Sequence, residues 1–529
     1  MTLTMLLPIL AAFLIALLFV PVMRSIAVRL GLVDRPDAER KLHAKPIAVS
    51  GGIAVFLATL SAFSAALWWL EPDVGSNLLW GIPKRWIVFF GSAAAIMTVG
   101  LVDDIWTLRG RQKLFFQLFI VLVVAGTGAV SQRVDLFGFE LPLRSLGLPL
   151  SVLYLLVCVN ALNLIDGADG MATTVGAIVC ASLGIMIVLG HGLTAEAIAA
   201  LCLCGALMGF LVFNRPPASI FLGDAGSMMV GLMVGILSMW CTLKESTVIS
   251  AGPIAILVLP LFDSSAAIAR RWMTGRSLYT TDRGHLHHVL HERFGDRGML
   301  WVVAALCGTS SFVALAAVRF GQEWLAPAGA ILVLFGLIVT RSFGYSECRL
   351  FAGKAYHFIR SFLTRAKNCE QEVLTQSLKT QGKGCWDVVW EPLVEFAKAN
   401  DLSSVRMDAN LAWLHEGYHA TWQNVRLPEK ALQSRVRVPL FARRPGEDEH
   451  VPIGHVDVIA AGNEQMHERM SDFLIHASEL QTQVEELVER IDAEFRGRRP
   501  IEPTKIDLNE QTESVANTTR ESELVAGSG

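Results

Sequence analysis

Apolar residues fill the first two thirds of the chain in long unbroken blocks, not at the spacing of an amphipathic helix or strand. Eleven blocks approach the roughly 20 mostly apolar residues that a bilayer-crossing helix needs. They lie at about 3–23, 48–70, 86–102, 114–130, 149–165, 171–190, 195–213, 226–243, 248–268, 299–318 and 323–341. The first has no basic start and no small-x-small cleavage site, and its positive charges follow the apolar run. It reads as a retained span, not a secretion signal. From about residue 345 the pattern changes. A helical stretch around 386–400 precedes runs of period two: Val405, Met407, Ala409 and Leu411; Val436, Val438 and Leu440; Val456 and Val458. Then Met466, Met470, Phe473, Ala477, Leu480, Val484, Leu487 and Ile491 recur at alternating steps of four and three. Such a seam suits either a coiled coil with a second copy over 466–491 or an amphipathic helix packed on its own sheet. Beyond Gly497 the chain is polar and aperiodic, the composition of a disordered segment.

The pattern predicts an all-α polytopic membrane protein of about 11 transmembrane helices with a small cytosolic α+β C-terminal domain. Its expected divisions are a transmembrane domain over 1–344, an α+β domain over 345–465, a helix over 466–496 and a tail over 497–529. Composition agrees: 53% of residues are hydrophobic and 18% charged, against about 25% charged in soluble domains, and the mean hydropathy is +0.46. The net charge of -3 offers no basic excess to draw nucleic acid. The nine cysteines show no metal-binding or disulfide spacing and read as inert thiols. Basic residues cluster after the first, third and ninth blocks: Arg24 to Lys45, Arg109 to Lys113, and Arg270 to Arg297. These loops are therefore expected to face the cytoplasm, with the N-terminus outside and the tail cytoplasmic.

Ionisable groups in or beside membrane spans are costly, so they are candidates for function. Asp103 and Asp104 end the third block, Asp166 and Asp169 follow the fifth in Asn160-Ala-Leu-Asn-Leu-Ile-Asp-Gly-Ala-Asp-Gly170, and Asp224 precedes the eighth in Phe221-Leu-Gly-Asp-Ala-Gly-Ser227. Taken singly, each carboxylate is adequately explained as a helix cap or a partner for a nearby arginine. Five at one membrane face, from three loops, point to a hard divalent cation, which takes one or two carboxylates and completes its shell with water and phosphate oxygens. Asn163, Asp166 and Asp169 are three apart and would share one face if helical. Asp103 and Asp104, being adjacent, point in different directions on a helix. The loop Arg270–Arg297 adds Arg283-Gly-His285-Leu-His287-His288. That histidine spacing is not a usual zinc pattern, and with arginines around it phosphate binding is the better reading. Lys113 adds positive charge on the same side.

These residues also resemble a known family, the polyprenyl-phosphate N-acetylhexosamine-1-phosphate transferases of the glycosyltransferase family 4 type. The likeness runs through Gly31–Pro36, Ser50–Gly52, Gly100–Asp104, Asn160–Gly170, Phe213-Asn214, Ile220–Ser227, Pro260–Asp263 and Gly284–His288, in the expected order. The resemblance implies Mg²⁺-dependent transfer (Mn²⁺ as a substitute) of N-acetylhexosamine-1-phosphate, GlcNAc-1-phosphate first among them, from a UDP-sugar to polyprenyl phosphate. UMP is released, and a cell-envelope glycan is initiated at a bacterial inner membrane. It implies Asp224 as the metal ligand; Asp103, Asp104, Lys113, Asp166 and Asp169 in the catalytic group; Asn163 and Asn214 lining the nucleotide-sugar site; Phe221 on the uracil; and Arg283, His285, His287 and His288 near phosphates. The H-x-H-H motif departs from the three consecutive histidines of the muramoyl-pentapeptide translocases and favours the GlcNAc-type branch. Whether an aspartate acts as base, nucleophile or orienter stays open at this level. A cation-coupled transporter is the reading from a different class. Clustering of the carboxylates at one face, without an inverted repeat, argues against it.

Overall fold

The computed structural model describes residues 3–34, 46–70, 83–127, 130–131, 133–136, 139–241, 248–274, 284–345, 347–349, 351–353, 355, 359, 374–381, 384–414, 416–423, 433–443, 450–461 and 466–498. The chain divides into two compact units. The first holds Met1–Glu372 with Gln376–Gln381 and Gly417–Ala420, and the second holds Val373–Thr375, Gly382–Glu416 and Thr421–Gly529.

The first unit is helical: α1 (Leu3–Leu30), α2 (Gly51–Leu70), α3 (Lys84–Trp106), α4 (Gly110–Gly126), α5 (Gly147–Ile165), α6 (Met171–His191), α7 (Ala195–Asn214), α8 (Gly223–Trp240), α9 (Ala251–Ile256), α10 (Val258–Thr274), α11 (Leu286–Phe320) and α12 (Leu325–Val339). Among the described residues, eight are long and apolar enough to cross a membrane: α1, α2, α3, α5, α6, α7, α8 and α11. The other three expected blocks fall on shorter helices. α4 has 17 residues and α12 has 15. The block at 248–268 is broken, because Pro260 has no amide hydrogen to give the preceding turn and so sits in the first turn of a new helix, α10. α11 bends at Gly295, whose φ of 66° and ψ of 178° leave the helical region.

α7 and α8 are the most enclosed spans and form the centre of the unit. Between apolar helices in lipid, close approach of backbones does the packing that the hydrophobic effect does in water. At Gly100 of α3 an added Cβ would stand 2.5 Å from the Ala225 backbone of α8. Helices here are joined through small ladders that an all-α reading does not contain. β1 (Val33–Asp34) pairs antiparallel with β2 (Ile47–Val49), and β2 pairs parallel with β5 (Ile220–Phe221), setting Val49 opposite Phe221. A second ladder joins β3 (Arg133–Leu136), β4 (Phe139–Pro142) and β6 (Val248–Ser250). Both satisfy backbone groups where the chain leaves a helix.

The C-terminal part contains β7 (Leu374–Gln381), α13 (Asp387–Ala399), β8 (Ser404–Leu411), β9 (Glu416–Gln423), β10 (Gln433–Arg443), β11 (His450–Ala461) and α14 (Met466–Arg498), with strand order β10-β11-β8-β9-β7. The period-two residues Val405, Met407, Val456 and Val458 are buried, as are Trp390 and Leu393 of α13. The seam proposed for a second copy is instead covered within the chain. Phe473, Leu480, Val484 and Leu487 are buried, and the Gln481 side chain accepts from Phe441 N at 3.1 Å and donates to Phe441 O at 2.7 Å. The helix therefore packs on its own sheet, and the apolar stripe that was to form a homodimer is already used. α14 runs to Arg498, past the expected boundary at 496. The rest of the polar tail, and the basic run Arg40 to Lys45, lie outside the described residues.

Two consequences are measurable. Gly100→Val forces a side chain into the α3–α8 contact and should lower stability by about 1–3 kcal/mol, read as earlier thermal unfolding of the detergent-solubilised protein. Asp457 accepts from Arg435 and Arg437 at 2.6 Å each. Burial alone would push its carboxyl up, but the two guanidiniums outweigh it and hold it at about 2. A carboxyl held below its ordinary 3.8 contributes stability above that value and loses it as the pH falls through about 2. Hydrogen exchange across β10 and β11 should therefore accelerate over that window, and Asp457→Asn should flatten the dependence.

Candidate active site

Asp103 and Asp104 lie in the last turn of α3. The chain then turns at Thr107, whose φ is 49°, and Leu108 N donates to Asp103 Oδ1 at 2.6 Å, which ties off the turn. Two residues later α4 begins, carrying Lys113 in its first turn. Its Nζ stands 2.9 Å from Asp103 Oδ2, 2.5 Å from Asp224 Oδ2 and 3.1 Å from Asn163 Oδ1. Asn163, near the end of α5, donates Nδ2 to Asp224 Oδ1 at 2.7 Å and to Ser227 Oγ at 3.0 Å. One ammonium thus gathers groups from α3, α5 and α8.

Asp104 faces elsewhere. Its carboxylate accepts from Asp224 N at 3.0 Å and Ala225 N at 3.2 Å, capping the N-terminus of α8. For this aspartate the capping explanation holds. Gly223 is required at the entry to α8: its φ is 75°, and a Cβ would meet Asp104 Oδ2 at 2.8 Å.

Asn163, Asp166 and Asp169 do not share a helical face. α5 stops at Ile165, Asp166 caps its C-terminus, and Asp169 lies in the glycine-containing turn that follows. Burial, followed by the like charges of Asp224, Asp104 and Asp169, pushes the Asp166 carboxyl well above the usual range. Asp169 Oδ2 accepts from Ala218 N at 2.8 Å. Asn214 is buried, with Oδ1 accepting from Thr173 Oγ1 at 2.7 Å and Nδ2 donating to Ile220 O at 2.9 Å. Its amide joins α6 to β5. Phe221 is held by the β2–β5 pairing and is half-buried.

The histidine motif is not a loop. His285 is the N-cap of α11, and His287 and His288 lie in its first turn. Asp263 of α10 is almost fully buried and accepts from Leu286 N at 2.7 Å, with its other oxygen 2.9 Å from His285 Nδ1. His287 is buried against the aspartate turn, so that a Cβ on Gly167 would stand 2.4 Å from its Nε2. The His287 and His288 rings are 4.1 Å apart. Arg283 lies outside the described residues. Neighbouring Arg270 pairs with Glu347.

Asp263, Ser227 and Glu347 carried no role in the sequence reading. Asp263 had a signal, because it is the one acidic residue in the apolar block at 248–268. Ser227 had none beyond its place in a glycine-rich run.

Among the described residues no three Asp, Glu, His or Cys side chains form a ready-made metal cage. Asp224 Oδ2 is held by Lys113 Nζ and Oδ1 by Asn163 Nδ2, and those two nitrogens also hold the carboxylate, amide and hydroxyl oxygens of Asp103, Asn163 and Ser227 beside it. That chemistry fits a hard divalent cation that needs one or two carboxylates and otherwise uses water and phosphate.

The family model for glycosyl transferase family 4 matches residues 86–242. That stretch contains Asp103, Asp104, Lys113, Asn163, Asp166, Asp169, Asn214, Phe221 and Asp224. Over that stretch the chain is similar to glycosyl transferase family 4. It is 29% identical over 341 residues to the probable undecaprenyl-phosphate N-acetylglucosaminyl 1-phosphate transferase of Bacillus subtilis, an alignment covering 63% of this chain and 89% of that one. To the decaprenyl-phosphate N-acetylglucosaminephosphotransferase of Mycobacterium tuberculosis H37Rv it is 28% identical, over 60% of this chain and 82% of the relative. To the undecaprenyl-phosphate alpha-N-acetylglucosaminyl 1-phosphate transferase of Escherichia coli K12 it is also 28% identical, over 67% and 94%. These relatives are named as transferases of N-acetylglucosamine phosphate, and each alignment leaves about a third or more of this chain unmatched. In the aspartate turn, Gly167→Ala should displace the His287 ring and lower turnover several-fold without loss of fold. A steady-state assay beside a thermal melt separates the two effects.

Proposed function

We propose that the chain transfers GlcNAc-1-phosphate from UDP-GlcNAc to a polyprenyl phosphate, releasing UMP, at the cytoplasmic face of a bacterial inner membrane. The single observation that carries this reading is the convergence of Asp103, Asn163 and Asp224 on Lys113 at the ends of apolar helices. Acids, a cation and amide groups meet there where a lipid phosphate and a soluble nucleotide have common access. The names of the relatives supply the sugar and the lipid class. The placement of Lys and Arg along the chain supports an eleven-crossing topology with the site and C-terminal part in the cytoplasm.

In this reading a lipid phosphate oxygen attacks the sugar-proximal phosphorus. The new phosphorus–oxygen bond forms as the bond to the UMP oxygen breaks, and UMP departs with the electron pair. Lys113 offsets charge on the diphosphate, and Asp103 holds that ammonium in place. A phosphate monoester has a second pKa of about 6, so the acceptor needs no strong base, and Asp103 serves to orient. Asp224 would hold Mg²⁺; when bound, the ion supplies the charge neutralisation that lets two anions approach. Asp104 keeps the N-terminus of α8, and with it Asp224, in position. Asn163 and Asp169 line the donor side, Asn214 supports it from behind, Phe221 is the surface for uracil, and Arg283 with His285, His287 and His288 contacts phosphate oxygens.

Purified Asp224→Asn should stay folded and lose UMP release by on the order of 10²-fold. Undiminished turnover would remove the metal assignment. A panel of UDP-sugars offered with polyprenyl phosphate identifies the donor, and no UMP from any of them would refute the reaction.

A further inference from the structure

A second recess lies beside the aspartate turn and contains none of the residues assigned to chemistry. It is a cavity of about 750 Å³ between α6, the end of α7, the 215–219 loop and the start of the straight part of α11. Its apolar wall includes Leu211, Phe213, Leu300 and Trp301, and its charged lining is Arg215 and Arg297, with no carboxylate. Both arginines are exposed, as is Trp301 at 77%. Each arginine sits just beyond an apolar helical run, Arg215 after α7 and Arg297 before Leu300, while the apolar lining lies within those runs. With α7 and α11 taken as membrane spans, the apolar trough falls in the membrane zone, with two guanidiniums at its polar end and an exposed indole along it. That is the complement of an amphiphile with acyl chains and an anionic head.

We propose that this recess binds an anionic glycerophospholipid of the leaflet that faces the carboxylate site. Guanidinium groups take phosphate oxygens through paired donors, and two of them in a lining that holds no carboxylate select an anionic head over a zwitterionic one. The lipid sits outside the reaction centre but against its wall. Ala218 N, in the loop that walls the recess, donates to Asp169 Oδ2 at 2.8 Å. Leu211 and Leu300, on the recess wall, would contact a Cβ placed on Gly170 of the aspartate turn at 3.2 and 3.4 Å. Occupancy therefore braces the turn that carries Asp166 and Asp169. The proposal concerns binding and stands independently of the sugar transferred.

The test uses the full chain in detergent with equal amounts of phosphatidylglycerol and phosphatidylcholine of matched acyl chains, bound lipid being counted by native mass spectrometry. Phosphatidylglycerol should be retained over phosphatidylcholine by roughly thirtyfold, the scale set by two basic residues at an anionic head. Arg215→Gln/Arg297→Gln should abolish the preference, while Arg24→Gln/Arg29→Gln, an equal loss of charge on α1, should keep it. Each single variant should lose part of it, which covers the case in which the double variant fails to fold. Equal retention in parent and double variant would overturn the proposal. So would displacement of phosphatidylglycerol by equimolar polyprenyl phosphate together with loss of turnover in the double variant, because the recess would then be an acceptor site. Failure of UMP release in the donor panel leaves the lipid count unaffected, so the two readings fail separately.

Discussion

The ammonium of Lys113 is the group on which the candidate site depends. In a low-dielectric setting several carboxylates brought together repel one another strongly, and a single cation within hydrogen-bonding reach reverses that balance. Lys113 stands within 3.1 Å of Asp103, Asp224 and Asn163. It thereby ties the end of α3, the end of α5 and the start of α8 to the first turn of α4. Remove it and the donors named on those carboxylates, Asn163 Nδ2 to Asp224 and Leu108 N to Asp103, are neutral.

That gathering of charge needs backbones close enough for short side chains to reach. Small residues provide the approach. Gly100 lets α3 lie on the Ala225 backbone, and Gly223 leaves room for the Asp104 carboxylate against the first turn of α8. Asp104 then fills the hydrogen-bonding needs of that turn. The polar groups of the site are thus held by the same contacts that pack apolar helices in lipid, where van der Waals fit and satisfied polar groups replace the hydrophobic effect.

Much of the candidate site was legible because lipid makes charge conspicuous. An aspartate beside an apolar block stands out whatever the fold, so Asp103, Asp104, Asp166, Asp169 and Asp224 could be found by position alone. Their partners were harder. The reach of Lys113 across more than a hundred residues to Asp224 has no periodic signal. Asn163 and Asp166 looked like one helical face until the chain left the helix at Asp166. The strand β9 was missed because it is buried on both sides over most of its length and so lacks the alternation that marks a half-buried strand. β7 was missed because Leu374-Thr-Gln-Ser-Leu-Lys-Thr-Gln381 is largely polar.

Local chemistry alone determined that the N-terminal part is built of apolar helices, that the C-terminal part mixes strands and helices, and that acids and basic residues gather at helix ends. Each follows from how a short stretch partitions between lipid and water. Only the tertiary structure decided which acid meets which cation, that Asp104 caps a helix while Asp103 holds Lys113, that His287 packs on Gly167, and that the α14 seam is spent on its own sheet. Those outcomes depend on distances between residues far apart in the chain, and such distances are set by the packing of all the helices together.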